Sequence, residues 1–184
     1  MLLWTIQPSL FYSILRERGS VQASYRYIDK DHAACYRWMA AQMLSRGVSS
    51  RLVFPIWAWF AQGGSEKRRP DLRRSWWLER GTAGVRIEFE IAQACALLSQ
   101  FEMWVMALRG AYVPLDDEED RHIDAKHDAG TLTQEAITRS WARMFDLSLG
   151  SPRFWGPVRK RAIQACVPSL HADQIRGVDR FVAR

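Results

Sequence analysis

Apolar and polar positions alternate most regularly near the middle of the chain, where Val85, Ile87, Phe89 and Ile91 are separated by Arg86, Glu88 and Glu90. Successive side chains of a strand point to opposite faces, so this period of two predicts a strand with one buried face. The apolar run over residues 2–7 predicts an opening strand. Pro8-Ser9 stops it and starts a helix, with Ser9 as N-cap and Gly19 as the C-terminal stop. Leu10, Phe11, Ile14 and Leu15 give that helix its apolar stripe. Cys35, Trp38, Met39, Gln42 and Met43 recur at helical spacing up to Arg46, with Asp29 or Asp31 as cap and Gly47 beyond, and place Trp38 in the core. Residues 52–60 are strand-like but contain Pro55, which predicts an edge strand or one broken by a bulge.

Gly63-Gly64-Ser65 opens a polar, Arg-rich loop that runs to about Gly84. Residues 94–108 predict the end of a strand followed by a short helix. The block Asp116-Asp117-Glu118-Glu119-Asp120 starts an exposed acidic linker over 116–130. Thr131 or Thr133 then caps a third helix with Ile137, Trp141, Met144 and Phe145 facing inward. Residues 161–167 predict a strand, 172–177 a helical turn and 180–182 a closing strand. The sum is an α+β chain, 1–184 as a single domain, with a split mixed or antiparallel sheet flanked by helices.

Composition narrows the function classes. No apolar run reaches the roughly 18 residues that a spanning helix needs, and Met1 to Ile6 lacks the basic start of a secretion signal, so a cytoplasmic protein with no membrane partner is expected. Cys35, Cys95 and Cys166 are widely spaced within apolar segments, as buried reduced thiols are; no CxxC pair suggests a metal. A net charge of +6 favours polyanionic partners. Basic residues gather at Lys67-Arg68-Arg69, Arg73-Arg74 and Arg159-Lys160-Arg161, while the acidic block offers a surface to a protein partner.

The chain has no GxGxxG, P-loop, HExxH or GxSxG motif, which sets aside the common dinucleotide, phosphate-loop, zincin and hydrolase sites. His122 and His127 fall in the expected linker and are read as solvated. The segment Arg69-Pro70-Asp71-Leu72-Arg73-Arg74-Ser75-Trp76-Trp77 mixes guanidinium groups with two aromatics. Arg pairs with phosphate bidentately and a Trp face accepts any base, so Arg69, Arg73, Arg74, Trp76 and Trp77 are candidate nucleic-acid contacts. Trp57 and Trp59 share one strand face and can wall a flat ligand or pack beneath a helix. Glu88 and Glu90, about 7 Å apart along a strand, are candidates to orient a ribose or act as acid and base, against the plainer reading of a solvated face.

The segments Leu3-Trp4-Thr5-Ile6-Gln7, Pro55-Ile56-Trp57-Ala58-Trp59, Arg69-Pro70-Asp71-Leu72-Arg73, Leu97-Leu98-Ser99 with Phe101 and Trp104, and Ile163-Gln164-Ala165 resemble a family of bacterial proteins known as a domain of unknown function. At the level of fold, the opening strand and helix are similar to the start of the ADP-ribosyltransferase toxins that modify DNA and of the tRNA 2'-phosphotransferases. The segment from Ile163 to Pro168 resembles the strand that carries their catalytic glutamate. This resemblance implies a split sheet that clasps NAD, with Thr5 and Gln7 near the adenosine ribose and Trp57 or Trp59 against the nicotinamide. Gln164 stands where the glutamate belongs, and a neutral amide cannot offset a developing ribosyl cation. The implied transferase therefore needs Glu88 or Glu90 to supply the charge. Three functions are expected: an ADP-ribosyltransferase-like domain that binds NAD and acts on nucleic acid, a noncatalytic nucleic-acid-binding module, or the protein-interaction half of a toxin and antitoxin pair.

Overall fold

The computed structural model describes residues 1–25, 28 and 30–184. It contains β1 (Leu2–Pro8), α1 (Ser9–Arg18), β2 (Ser20–Val21), α2 (Ala33–Ser45), β3 (Ile56–Ala61), β4 (Ala83–Glu90), β5 (Leu97–Gln100), α3 (Phe101–Leu108), α4 (Asp117–Asp128), α5 (Gln134–Ser140), α6 (Pro152–Trp155), β6 (Ile163–Val167), β7 (Leu170–His171) and β8 (Ile175–Val182). The fold is α+β, with a six-stranded sheet in the order β5-β6-β3-β1-β4-β8 and a small ribbon of β2 and β7. Contacts divide the chain into two compact units. The first holds Met1–Phe60, Arg69–Leu97 and Ala165–Arg184, and the second holds Ala61–Arg68 and Leu98–Gln164.

In the first unit β1 runs antiparallel to β4, from Leu2 opposite Glu90 to Pro8 opposite Gly84. It also pairs antiparallel with β3, Trp4 opposite Trp59, and β4 pairs antiparallel with β8. The alternation that predicts β4 is realised: Val85, Ile87, Phe89 and Ile91 are buried, and Leu3 and Thr5 of β1 lie opposite Phe89 and Ile87. On the other side of β4 the outcome differs in part from a solvated face. Arg86 is buried because it finds a carboxylate on β8 as its register partner, Asp179, and Glu88 is half-buried and accepts from the Trp4 indole, while Glu90 is exposed as a solvated face requires.

Several boundaries move. Gly19 caps α1 in the left-handed conformation as expected, but Pro8, not Ser9, is the N-cap, and no side chain caps that end. Leu15 is the buried residue of α1, whereas Leu10 is 65% exposed. Asp31 lies in the 3-10 turn before α2 and does not cap it; Asp29 falls outside the described residues. The edge strand expected at 52–60 is interior, between β6 and β1. Pro55 immediately precedes β3, so its missing N–H costs the ladder nothing. The closing strand is longer than expected: the helical turn ends at Gln174 and β8 takes in Gly177. Cys35 and Cys166 are buried, whereas Cys95 is half-exposed on a 3-10 turn.

In the second unit the expected acidic linker over 116–130 is helix α4. Asp116 caps it by accepting from the Glu118 and Glu119 backbone N–H groups, and its first turn is entirely acidic while Lys126 and His127 sit in its last. Charges placed this way complement the helix dipole at both ends. His122 and His127 are exposed on this helix. Glu119 turns inward to Arg143 at 2.9 Å and accepts from the Tyr112 hydroxyl at 2.8 Å. Thr133 caps α5, and Trp141 and Met144 in the following 3-10 turn are buried. Gly64 has a positive φ of 77°, and a side chain there would meet the Arg159 carbonyl at 2.3 Å. This close approach lets Ser65 N donate to Arg159 O at 2.9 Å.

Candidate nucleic-acid interface

The loop before β4 is built from its own sequence. Asp71 accepts from the Arg73 backbone N–H at 3.0 Å and from the Arg73 guanidinium at 2.7–3.1 Å. These hydrogen bonds hold the Asp71 carboxyl well below the usual carboxylate range and push Arg73 up. The Asp71 carbonyl then accepts from the Trp77 indole at 2.8 Å, which folds Trp77 back over the turn. The start of the loop is tied to the sheet: Arg86 donates to the Pro70 carbonyl and to Asp179 at 2.8 and 3.0 Å, and Arg69 joins the same Asp179 oxygen at 2.7 Å. Burial opposes charge on Asp179, but the Arg86 hydrogen bond and the charges of Arg86 and Arg69 outweigh it and hold the carboxyl low.

The aromatic residues step outward from the sheet. Trp59 is 9% exposed and meets Trp77 edge-on at 5.9 Å; Trp77 is half-buried and lies 5.8 Å from Trp76; Trp76 is 61% exposed. The Arg74 guanidinium lies 4.7 Å over the Trp76 ring. The structure thus brings Arg69, Arg73, Arg74, Trp76 and Trp77 into one loop, and shows that two of the three arginines are already matched to carboxylates. Arg86 and Asp179, which fix the loop, were not singled out by the sequence. Their only signal was Arg86 inside the alternating stretch.

The residues expected to hold and turn over NAD do not converge. Ala165–Val167 of β6 are separated from β1 by β3, so the two strands expected to clasp the dinucleotide are not neighbours. Thr5 is fully buried and donates to the Trp57 carbonyl at 2.8 Å, while Gln7 donates to the Thr5 hydroxyl at 2.9 Å. Trp59 packs on Trp77 instead of facing a ligand. Glu88 accepts from the Trp4 indole at 2.7 Å, and Glu90 pairs with Arg176 at 3.2 Å. Gln164 is buried in β6 with a side-chain oxygen that has no hydrogen-bond partner among the described residues. The residues present therefore do not fit NAD in the expected clasp, and no step of ribosyl transfer is derived through them. Among the described residues no three His, Cys, Asp or Glu side chains gather as metal ligands, and no helix is long and apolar enough to cross a membrane.

Gln7 and Trp57 instead line a separate cleft of about 790 Å³, walled by Leu10, Phe11 and Ile14 of α1 and by Tyr36. Tyr36 meets Trp57 edge-on at 6.0 Å, and its hydroxyl pKa is raised, mainly by burial and further by Cys166, against a hydrogen bond from Trp57.

Residues 2–175 match the family described as a domain of unknown function, DUF3841, and the chain belongs to that family. No curated protein and no solved structure matches it.

Proposed function

From a family whose description carries no activity and a surface that pairs cations with an exposed aromatic, we propose that this protein is a noncatalytic nucleic-acid-binding module that takes single strands on the loop from Arg69 to Trp77. The observation that carries the reading is Trp76, which is 61% exposed, has Arg74 at 4.7 Å over its ring and is braced from beneath by Trp77. A base that stacks on this exposed ring also brings a phosphate to Arg74. Arg73 is 82% exposed, so its outer edge can turn to phosphate while Asp71 keeps its place in the turn. Phosphate neutralisation by a few guanidiniums gives affinity that falls with salt, and stacking gives a part that does not.

Fluorescence anisotropy with a labelled single-stranded oligonucleotide tests this. Binding is expected to weaken as salt rises, and Trp76→Ala is expected to cost about 1–3 kcal/mol, or roughly 5- to 150-fold in affinity. Absence of binding at low salt, or affinity indifferent to Trp76→Ala, rejects the reading.

A further inference from the structure

The cleft along α1 has a polarity of its own. At one end stand Trp57 and Tyr36 with the apolar residues Leu10 and Ile14; at the other stand Arg18 and His171. The second grouping follows from the fold: Arg18 ends α1, Ser20 of β2 pairs with His171 of β7, and Ala172 N donates to Gly19 O at 2.8 Å. From Leu10 to Arg18 the helix rises about 12 Å, at 1.5 Å per residue, so the apolar and cationic ends are separated by the length of a medium-sized organic molecule. Among the described residues none that lines the cleft is Asp or Glu, and Arg18 makes no ion pair with any of them. Leu10, which lines the cleft, is 65% exposed.

A concave site with apolar and aromatic walls and a few convergent polar groups is the usual form of a small-molecule site. Here the charged group at one end is the Arg18 guanidinium, and among the described residues none that lines the cleft is anionic. We propose that this cleft binds an apolar-bodied organic acid of about 12 Å, with its body against Leu10, Ile14 and Trp57 and its carboxylate or similar anionic head at Arg18. Arg18 selects the charge, because a guanidinium offers a planar fork of donors to a carboxylate. The apolar walls provide most of the affinity and the cationic end the orientation. This site is independent of the nucleic-acid loop.

Isothermal titration of the full chain with decanoate, decanol and decylammonium tests the assignment. Decanoate is expected to bind at least tenfold more tightly than decanol, and decylammonium more weakly than either. Arg18→Gln should erase the preference for decanoate over decanol, Arg18→Lys should restore part of it, and Ile14→Asp should weaken decanoate and decanol together. Trp76→Ala should leave decanoate affinity unchanged, which separates this site from the oligonucleotide loop. Circular dichroism melts verify that each variant is folded. Equal affinity for acid and alcohol, no binding of either, or a preference that survives Arg18→Gln overturns the proposal.

Discussion

Among the described residues two arginines are buried, Arg86 in the first compact unit and Arg161 in the second, at 9% and 3% exposure, and they are satisfied in opposite ways. Arg86 is matched by charge: Asp179 accepts two of its donors, and the Pro70 carbonyl takes another. Arg161 lies in a cage of neutral oxygens, donating to Gly156 O at 3.0 Å, Gly150 O at 2.8 Å, Gln100 Oε1 at 3.1 Å and the Leu149 carbonyl. Burial lowers the Arg161 pKa, with the charge of Glu102 in opposition, yet a guanidinium remains protonated across the physiological range. One arginine fastens a loop through a carboxylate that can titrate. The other organises turns through carbonyls that cannot. The stability of the first therefore answers to acid, and that of the second answers only to the loss of its donors.

The largest effect that would sharpen this contrast is Arg161→Ala. It strands the Gly156 and Gly150 carbonyls and Gln100 Oε1, while the Leu149 carbonyl keeps Gln100 Nε2 as a donor, and a destabilisation on the order of 3 kcal/mol or more is expected as a drop in the urea midpoint, since each buried acceptor left unmade costs about 1–3 kcal/mol. Arg161→Lys should recover only part of it, because one ammonium cannot reproduce a planar fork. Next comes Arg86→Ala, expected to cost about 2–3 kcal/mol, below the value for a fully buried pair because Asp179 is 39% exposed and keeps Arg69. Equal losses for the two alanine variants would break the distinction.

A smaller effect is expected with pH. The folded-state pKa of Asp179 is lowered relative to the unfolded chain, so its contribution is complete above the unfolded carboxylate value and disappears as pH falls through the folded one. Melting temperatures from neutral to strongly acidic pH should fall less steeply for Asp179→Asn than for the unaltered protein, with Asp179→Asn the less stable at neutrality. Superimposable acid limbs would show that Asp179 does not carry the linkage. The smallest effect is Arg69→Ala: with Arg69 51% exposed, its pair is worth less than about 1 kcal/mol to stability. The same change should still weaken oligonucleotide binding and reduce its salt dependence.

What could be foreseen in the sequence divides along physical lines. The buried row Val85, Ile87, Phe89 and Ile91 was legible because alternation is a local property, and Gly19 was legible because few residues suit a left-handed cap. The strand order was not legible: Pro55 reads locally as an edge signal, and nothing in residues 56–61 shows that β3 is flanked on both sides. In the acidic block charge density obscures the capping geometry, and Asp116 followed by an acidic first turn is the available helix signal. For the candidate site, the loop's composition identified Arg74 and Trp76, but not that Arg69 and Arg73 are committed to Asp179 and Asp71. Those pairings span 110 and 2 residues, and only the second was within reach of a local reading. The polar end of the α1 cleft has no local signal, because Arg18 and His171 come together through the two-residue ribbon of β2 and β7.

The last strand of the sheet, β8, has a neighbour on one side only. An uncovered strand margin is a template on which another chain can add itself, and long, flat, apolar margins are the hazardous kind. Here the strand carries Arg176, Asp179 and Arg180, and its register with β4 slips between Glu88 and Phe89. Cations along the margin repel a second copy, and the irregularity spoils the flat ladder that stacking requires. The carboxylate that fastens the loop thus belongs to a strand whose charges also discourage fibrillar self-association.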